Sequence, residues 1–122
     1  MSVNAYVRAQ KVASTPRSTE YRLMSEVTGE MIAARDAGLT GVKLAAALHR
    51  NRQVWGTFSA LCADSANALP AELRAGIISL GLWVDRYTSL VITGRDTIDE
   101  LINVNRTVMG GLANENGAVP AA

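Results

Sequence analysis

The sequence predicts an all-α fold, a compact bundle of four to five helices followed by a disordered C-terminal tail. Three observations carry this. Apolar residues recur at spacings of three and four along most of the 122-residue chain. Few Val/Ile/Tyr alternations occur, and no turn dipeptide sits between two strand-like runs. Hydrophobic residues make up 48% and charged residues 19%, a globular profile. One helical domain is expected over residues 1–112, with 113–122 as a flexible tail of small and polar residues.

Taken in order, a short first helix is expected from Val3 to Ala13, broken by STPRSTEY. Pro16 after Thr15 suits the first position of a second helix, Arg17 to Ala37, which stops at Gly38. Its apolar stripe is Leu23, Met24, Val27, Met31 and Ala34. Thr40 opens a third helix with Leu44, Ala47, Leu48, Asn51, Trp55, Phe58 and Cys62 along one face, fading in the turn-like DSANA. Pro70 at the first position and Glu72 in the first turn start a fourth helix, ended by Gly94. Asp96 is expected to cap a fifth helix, with Asp99 three residues on as an imperfect capping box. That helix should stop near Gly110 and Gly111.

The fourth helix contains GIISLGLWV, Gly76 to Val84, which is apolar on every side. Leu73, Ile77, Leu80, Val84, Tyr87 and Val91 form one stripe. Ile78 and Leu82 fall nearly opposite, with Trp83 and Leu90 to a flank. One stripe suffices for a surface helix, so this one is either enclosed or presents a second face to a partner. Insertion into a membrane is not expected, because a spanning helix needs about 20 consecutive apolar residues and Arg74, Asp85 and Arg86 bracket this run. Gly81 permits close approach of a neighbour, at a cost of about 1 kcal/mol relative to Ala.

Two segments echo one another. Leu48 to Trp55 and Ile102 to Met109 both read aliphatic-x-x-Asn-Arg-x-Val-large apolar. Asn51 and Asn105 fall inside their apolar stripes, with Arg52 and Arg106 at the edges. A buried amide left unpaired costs about 1–3 kcal/mol, so both need partners. They either fix helix register or bind the backbone of a partner peptide.

No catalytic constellation emerges, and no enzyme, metal or cofactor is expected. His49, the only histidine, lies off the apolar stripe as a surface residue. Cys62, the only cysteine, ends an apolar face and reads as core. Glu26 and Glu30 sit on a charged face with Arg22. Phosphate loops, metal-ligand spacings and nucleophile elbows are missing. With 12 basic residues against 11 acidic, direct nucleic-acid binding is not expected. Arg50 and Arg52 beside Trp55 could imitate an RNA patch, but Trp55 belongs to the core stripe. MSVNAYVRAQ lacks the apolar centre of a signal peptide, so a cytoplasmic location is expected.

The segments PRSTEYRLMSEVTGEMIAA, ALHRNRQVWGTFSALCAD, NALPAELRAGIISLGLWVDRYTSLVITG and IDELINVNRTVMGGL together resemble the alphaproteobacterial flagellar biosynthesis regulator FlaF family, from roughly Asn4 to Leu112. EYRL, NR-x-x-W, LP-x-x-LRA-x-IISL-x-LWV and the late VNR are the most specific parts. Leu61 departs from the pattern, which places an acidic residue before Cys62. The resemblance implies a cytoplasmic helical protein that binds flagellin as an export chaperone and works opposite FlbT, a regulator acting on flagellin mRNA. It implies no catalytic residues. Joined to the residue reading, it suggests a groove for an amphipathic flagellin helix. Ile78, Leu82, Trp83 and Leu90 would line it, with Arg52 or Arg86 at the rim, and Asn51, Trp55, Asn105 and Arg106 would complete the partner-binding set. Against this stand a bundle core made of the same four apolar residues, a translational regulator of flagellin mRNA acting with FlbT, and a homodimeric adaptor.

Overall fold

The computed structural model describes residues 16–115, with side chains over 19–110. Four helices form it: α1 (Pro16–Asp36), α2 (Gly41–Ala63), α3 (Ala71–Ile92) and α4 (Asp99–Glu115), with no strand among the described residues. The expected helix at Val3–Ala13 and residues 116–122 of the expected tail lie outside the described residues. Helix α1 packs against both α2 and α4, α2 packs against α3, and α3 meets α4 only sparsely.

The apolar spacing of each helix sets the face it buries. Met24, Val27, Met31 and Ala34 of α1 are all buried, as are Leu48, Asn51, Trp55, Phe58 and Cys62 of α2. Ile77, Val84, Tyr87 and Val91 supply the wall from α3, and Leu101, Ile102 and Val108 that from α4. Burying a side chain of this size contributes roughly 1.5–3 kcal/mol, and the core cluster runs unbroken through all four helices.

Two helices end at glycines for a geometric reason. At Gly38, φ is +64°; its N–H donates to Arg35 C=O and the Leu39 N–H to Ala34 C=O, both at 3.0 Å. Gly94, φ +73°, repeats the motif, with donors Gly94 and Arg95 reaching Val91 and Leu90 at 3.1 and 2.9 Å. This paired closure requires the left-handed conformation that glycine adopts without strain. After α2, Asp64 Oδ1 accepts from the Ala66 N–H and Asn67 Oδ1 from the Leu69 N–H, both at 2.9 Å, which makes DSANA two successive side-chain turns. Arg74 of α3 reaches back to the Asp64 carbonyl at 3.1 Å, satisfying the exposed end of α2.

Three boundaries differ from the sequence reading. Pro70 precedes α3 rather than opening it, and its carbonyl accepts the Arg74 N–H at 3.0 Å. Asp96 does not cap α4: its Oδ1 accepts from the adjacent Thr97 N–H at 2.9 Å, while Ile98 C=O starts the helix by accepting from Leu101 and Ile102. The buried Ile98 sets that start, since the chain must first bring its side chain into the core. Finally, α4 continues through Gly110 and Gly111 to Glu115. Gly110 is not among the positive-φ glycines, and without that conformation the terminating motif cannot form.

At the centre lies a polar network that explains the echoed segments. The Trp55 Nε1–H donates to Asn105 Oδ1 at 2.8 Å. Asn105 Nδ2 donates to Asn51 Oδ1 at 2.8 Å and to Thr28 Oγ1 at 3.0 Å. The Thr28 hydroxyl donates to Met24 C=O at 2.6 Å. The two asparagines meet each other, and α1, α2 and α4 are joined at one level of the bundle.

Replacing Asn105 with Leu would strand the Trp55 indole N–H and the Asn51 carbonyl oxygen, while the Thr28 hydroxyl keeps its bond to Met24 C=O. Since each unmet buried group costs about 1–3 kcal/mol, we expect Asn105→Leu to lower unfolding free energy by about 3 kcal/mol or more. The exposed neighbour change Arg106→Ala should stay within about 0.5 kcal/mol. Urea unfolding of both variants checks this, and equal, small losses would remove the network from its central role.

Alkaline stability offers a second test. Burial pushes the Cys62 thiol from its ordinary 9.0 up to about 11. Burial likewise raises the Tyr87 hydroxyl, which donates to Thr97 C=O at 3.1 Å, from 10.0 to about 12. In each case the folded state keeps a proton that the unfolded chain releases, so this stabilisation is whole below pH 9 and is lost as pH rises toward 12. The urea midpoint should therefore fall between pH 9 and 11, and less so in Cys62→Ala measured against its own value at pH 8; a flat midpoint would contradict the assignment.

Candidate partner surface

The sequence reading singled out ten residues, and the structure sorts them into three places. Asn51, Trp55 and Asn105 are fully buried in the central network and face no partner surface. That corrects their place in the expected binding set: Trp55 Nε1, both side-chain polar atoms of Asn105 and Asn51 Oδ1 are spent on joining α1, α2 and α4, while Asn51 Nδ2 is buried without a partner. Arg106 is exposed on α4, away from the others.

Ile78, Leu82, Arg86 and Leu90 are the set that the structure does bring together. Spaced four residues apart, they form one row along the outer side of α3. Leu82 is 62% and Leu90 38% exposed, whereas Ile78 is half-buried and packs against the core. The expectation that these residues simply fill the core is therefore corrected for Leu82 and Leu90. Trp83 turns to the flank, where its ring stacks on Tyr87 with centroids 4.7 Å apart.

Arg52 joins α2 to this row. Its Nη2 donates to the Asp85 carbonyl at 2.8 Å and to Ser89 Oγ at 2.9 Å, and its Nε lies 3.2 Å from Asp85 Oδ1. Beneath it Gly81 faces Ser59 and Trp55 so closely that an added Cβ would overlap the Ser59 hydroxyl. The glycine thus has the packing role expected of it: it lets α3 sit tightly on α2. Between the two helices a shallow cavity of about 240 Å³ is bordered by Arg52, Gly56, Ser59, Ile78, Gly81 and Leu82.

The tertiary structure adds a surface that the sequence reading missed. A groove of about 290 Å³ runs between α1 and α2, lined by Thr19, Glu20, Leu23, Val54, Phe58 and Leu61. A signal was present: Val54, Phe58 and Leu61 recur at spacings of four and three, a second stripe overlapping the core stripe at Phe58. Ile92, at the end of α3, is a further exposed apolar residue.

Helix α3 is 22 residues long and, by length and composition alone, is apolar enough to cross a membrane, which the nine-residue run GIISLGLWV by itself is not. In the bundle its inner side packs on the core through Ile77, Val84 and Val91. Only 28% of its most apolar stretch is buried, so the bundle uses a minor part of its apolar character. Among the described residues, no cluster of His, Cys, Asp and Glu could hold a metal ion. His49 is exposed, and Glu30 pairs with Arg50 at 3.3 Å on the surface.

Comparison with known proteins finds a family match. The model of the family described as flagellar protein FlaF aligns with residues 2–112, nearly the whole chain. No curated protein and no solved structure matches significantly. Matched by that model over residues 2–112, the chain belongs to the FlaF family of flagellar proteins.

Proposed function

We propose that this chain is a cytoplasmic export chaperone that binds flagellin and couples its synthesis to secretion. The observation that carries the reading is the apolar outer row of α3, with Leu82 mostly exposed in a helix whose inner side already supplies the core. Membership in a family of flagellar proteins supplies the context. Flagellin termini are amphipathic segments that pack in the filament and need cover beforehand. An apolar row at i, i+4 spacing, with Arg86 inside it and the Arg52–Asp85 pair beside it, matches helix-in-groove recognition with a polar rim. The mechanism is stoichiometric capping of a flagellin helix, released at the export gate. In this reading FlbT acts opposite the chain on flagellin mRNA.

Calorimetric titration with soluble flagellin tests the reading. We expect saturable one-to-one binding that disappears when one flagellin terminus is removed. Leu82→Asp with Leu90→Asp should weaken it by at least about tenfold, equivalent to about 1.4 kcal/mol, while circular dichroism and the urea midpoint stay near wild type because both positions face outward. Undiminished binding by the folded double variant would remove the α3 row from the interface. Flotation with lipid vesicles, or a dimer in light scattering abolished by the same variant, would assign the row to a membrane or to a second copy instead.

A further inference from the structure

The cavity between α2 and α3 is continuous with the outer row of α3, because Ile78 and Leu82 belong to both. Across from them stand Arg52, Gly56 and Ser59 of α2, spaced by four and three residues on one face. Arg52 and Asp85 border it as an ion pair, Nε to Oδ1 at 3.2 Å. At about 240 Å³ the cavity is smaller than the roughly 300–1,000 Å³ of small-molecule sites. That volume suits one side chain of a partner better than a free ligand.

Three features decide the chemistry of that side chain. The first is charge. The two border charges cancel, so a carboxylate drawn to Arg52 also meets Asp85, and an ammonium drawn to Asp85 also meets Arg52. A neutral group meets no such opposition. The second is hydrogen bonding. Arg52 spends Nη2 on the Asp85 carbonyl and the Ser89 hydroxyl, which leaves Nη1 as a donor without a partner among the described residues. The Asp85 side chain is 68% exposed, with Oδ2 available to accept. On the same wall the Ser59 hydroxyl also has no hydrogen-bond partner. An apolar guest would cover donors and acceptors without pairing them, which is the costlier outcome. The third is room. A Cβ added at Gly56 would meet nothing within 4 Å, so no contact inside the described chain requires glycine there. Glycine is unfavourable within a helix, and its bare backbone leaves the cavity open on the α2 side.

We propose that this cavity receives a primary carboxamide, the side chain of an asparagine or glutamine, from the flagellin helix that lies along the α3 row; this rests on the binding proposed for that row. The amide N–H donates to the Asp85 carboxylate, the amide oxygen accepts from Arg52 Nη1, and the methylenes lie on Ile78 and Leu82. The apolar row supplies area without direction. The carboxamide supplies directional bonds, and these fix the register of the bound helix.

Calorimetric titration of the full chain with soluble flagellin, extended to variants of both proteins, tests it. Gly56→Leu fills the cavity from the α2 side and replaces glycine by a better helix former. Its urea midpoint should hold or rise, while affinity falls by about tenfold or more. Gly29→Leu makes the same change at an exposed α1 position where an added Cβ also meets nothing, and it should leave affinity unchanged. In the flagellin terminus that binding requires, each Asn and Gln is changed in turn to its acidic counterpart. One such change should weaken binding to the wild-type chain by about tenfold or more, because the new carboxylate meets Asp85. Asp85→Asn leaves Arg52 unopposed, and should bring that flagellin variant back to within about threefold of the original affinity.

Full binding by Gly56→Leu, alongside lost binding in Leu82→Asp with Leu90→Asp, would keep the α3 row and overturn the carboxamide site. Equal losses in Gly56→Leu and Gly29→Leu would overturn it too. So would a terminus with no acid-sensitive Asn or Gln, or a sensitivity that Asp85→Asn does not relieve. A wild-type chain that binds no flagellin would overturn the row and the site together.

Discussion

The bundle depends on satisfying one buried amide. Asn105 accepts from Trp55 and donates to both Asn51 and Thr28, so its partners come from α1 and α2 while it sits on α4. Hydrogen bonds are directional in a way that apolar contacts are not. A helix that slid by one turn, or rotated by one residue, would keep much of its hydrophobic burial but leave these groups unpaired in the core. The network therefore selects one register among several of similar apolar burial, the best-attested use of buried polar groups.

Helix α3 lies outside that network. It is attached through α2, by the close approach at Gly81, the apolar contacts of Ile77, Val84 and Val91, and the Arg52 and Arg74 bridges at its two halves. Its contact with α4 is sparse. An element held along one side keeps the other available, and the apolar residues not needed for attachment are the ones that face outward. The exposed part of that face, Leu82 and Leu90, is the surface on which the proposed flagellin binding rests. The groove between α1 and α2 is a second apolar surface with a different character, since it carries a buried carboxylate.

Much of this was legible in residue order. The stripes of α1 and α2 predicted their buried faces almost residue by residue, because a helix of fixed pitch converts spacing directly into direction. Gly38 and Gly94 marked true ends, as left-handed closure favours glycine. The Gly110–Gly111 pair marked none, because glycine permits that conformation without requiring it. Asp96 was misread for a related reason: its spacing to Asp99 imitates a capping box, but the burial of Ile98 moved the helix start beyond it.

The sequence by itself determined the all-helical class, the identity of the core stripes, the need for partners at Asn51 and Asn105, and the surplus of apolar residues in α3. These follow from local periodicity and from the cost of an unpaired buried amide. Only the tertiary structure decided that the two asparagines partner each other, that Arg52 binds across to Asp85 and Ser89, and that Leu82 and Leu90 face out while Ile78 leans inward. It also created the α1–α2 groove, whose walls are 30 or more positions apart in the chain. Each of these depends on which helices are neighbours, and that choice is made by long-range packing and hydrogen bonding that no local pattern encodes.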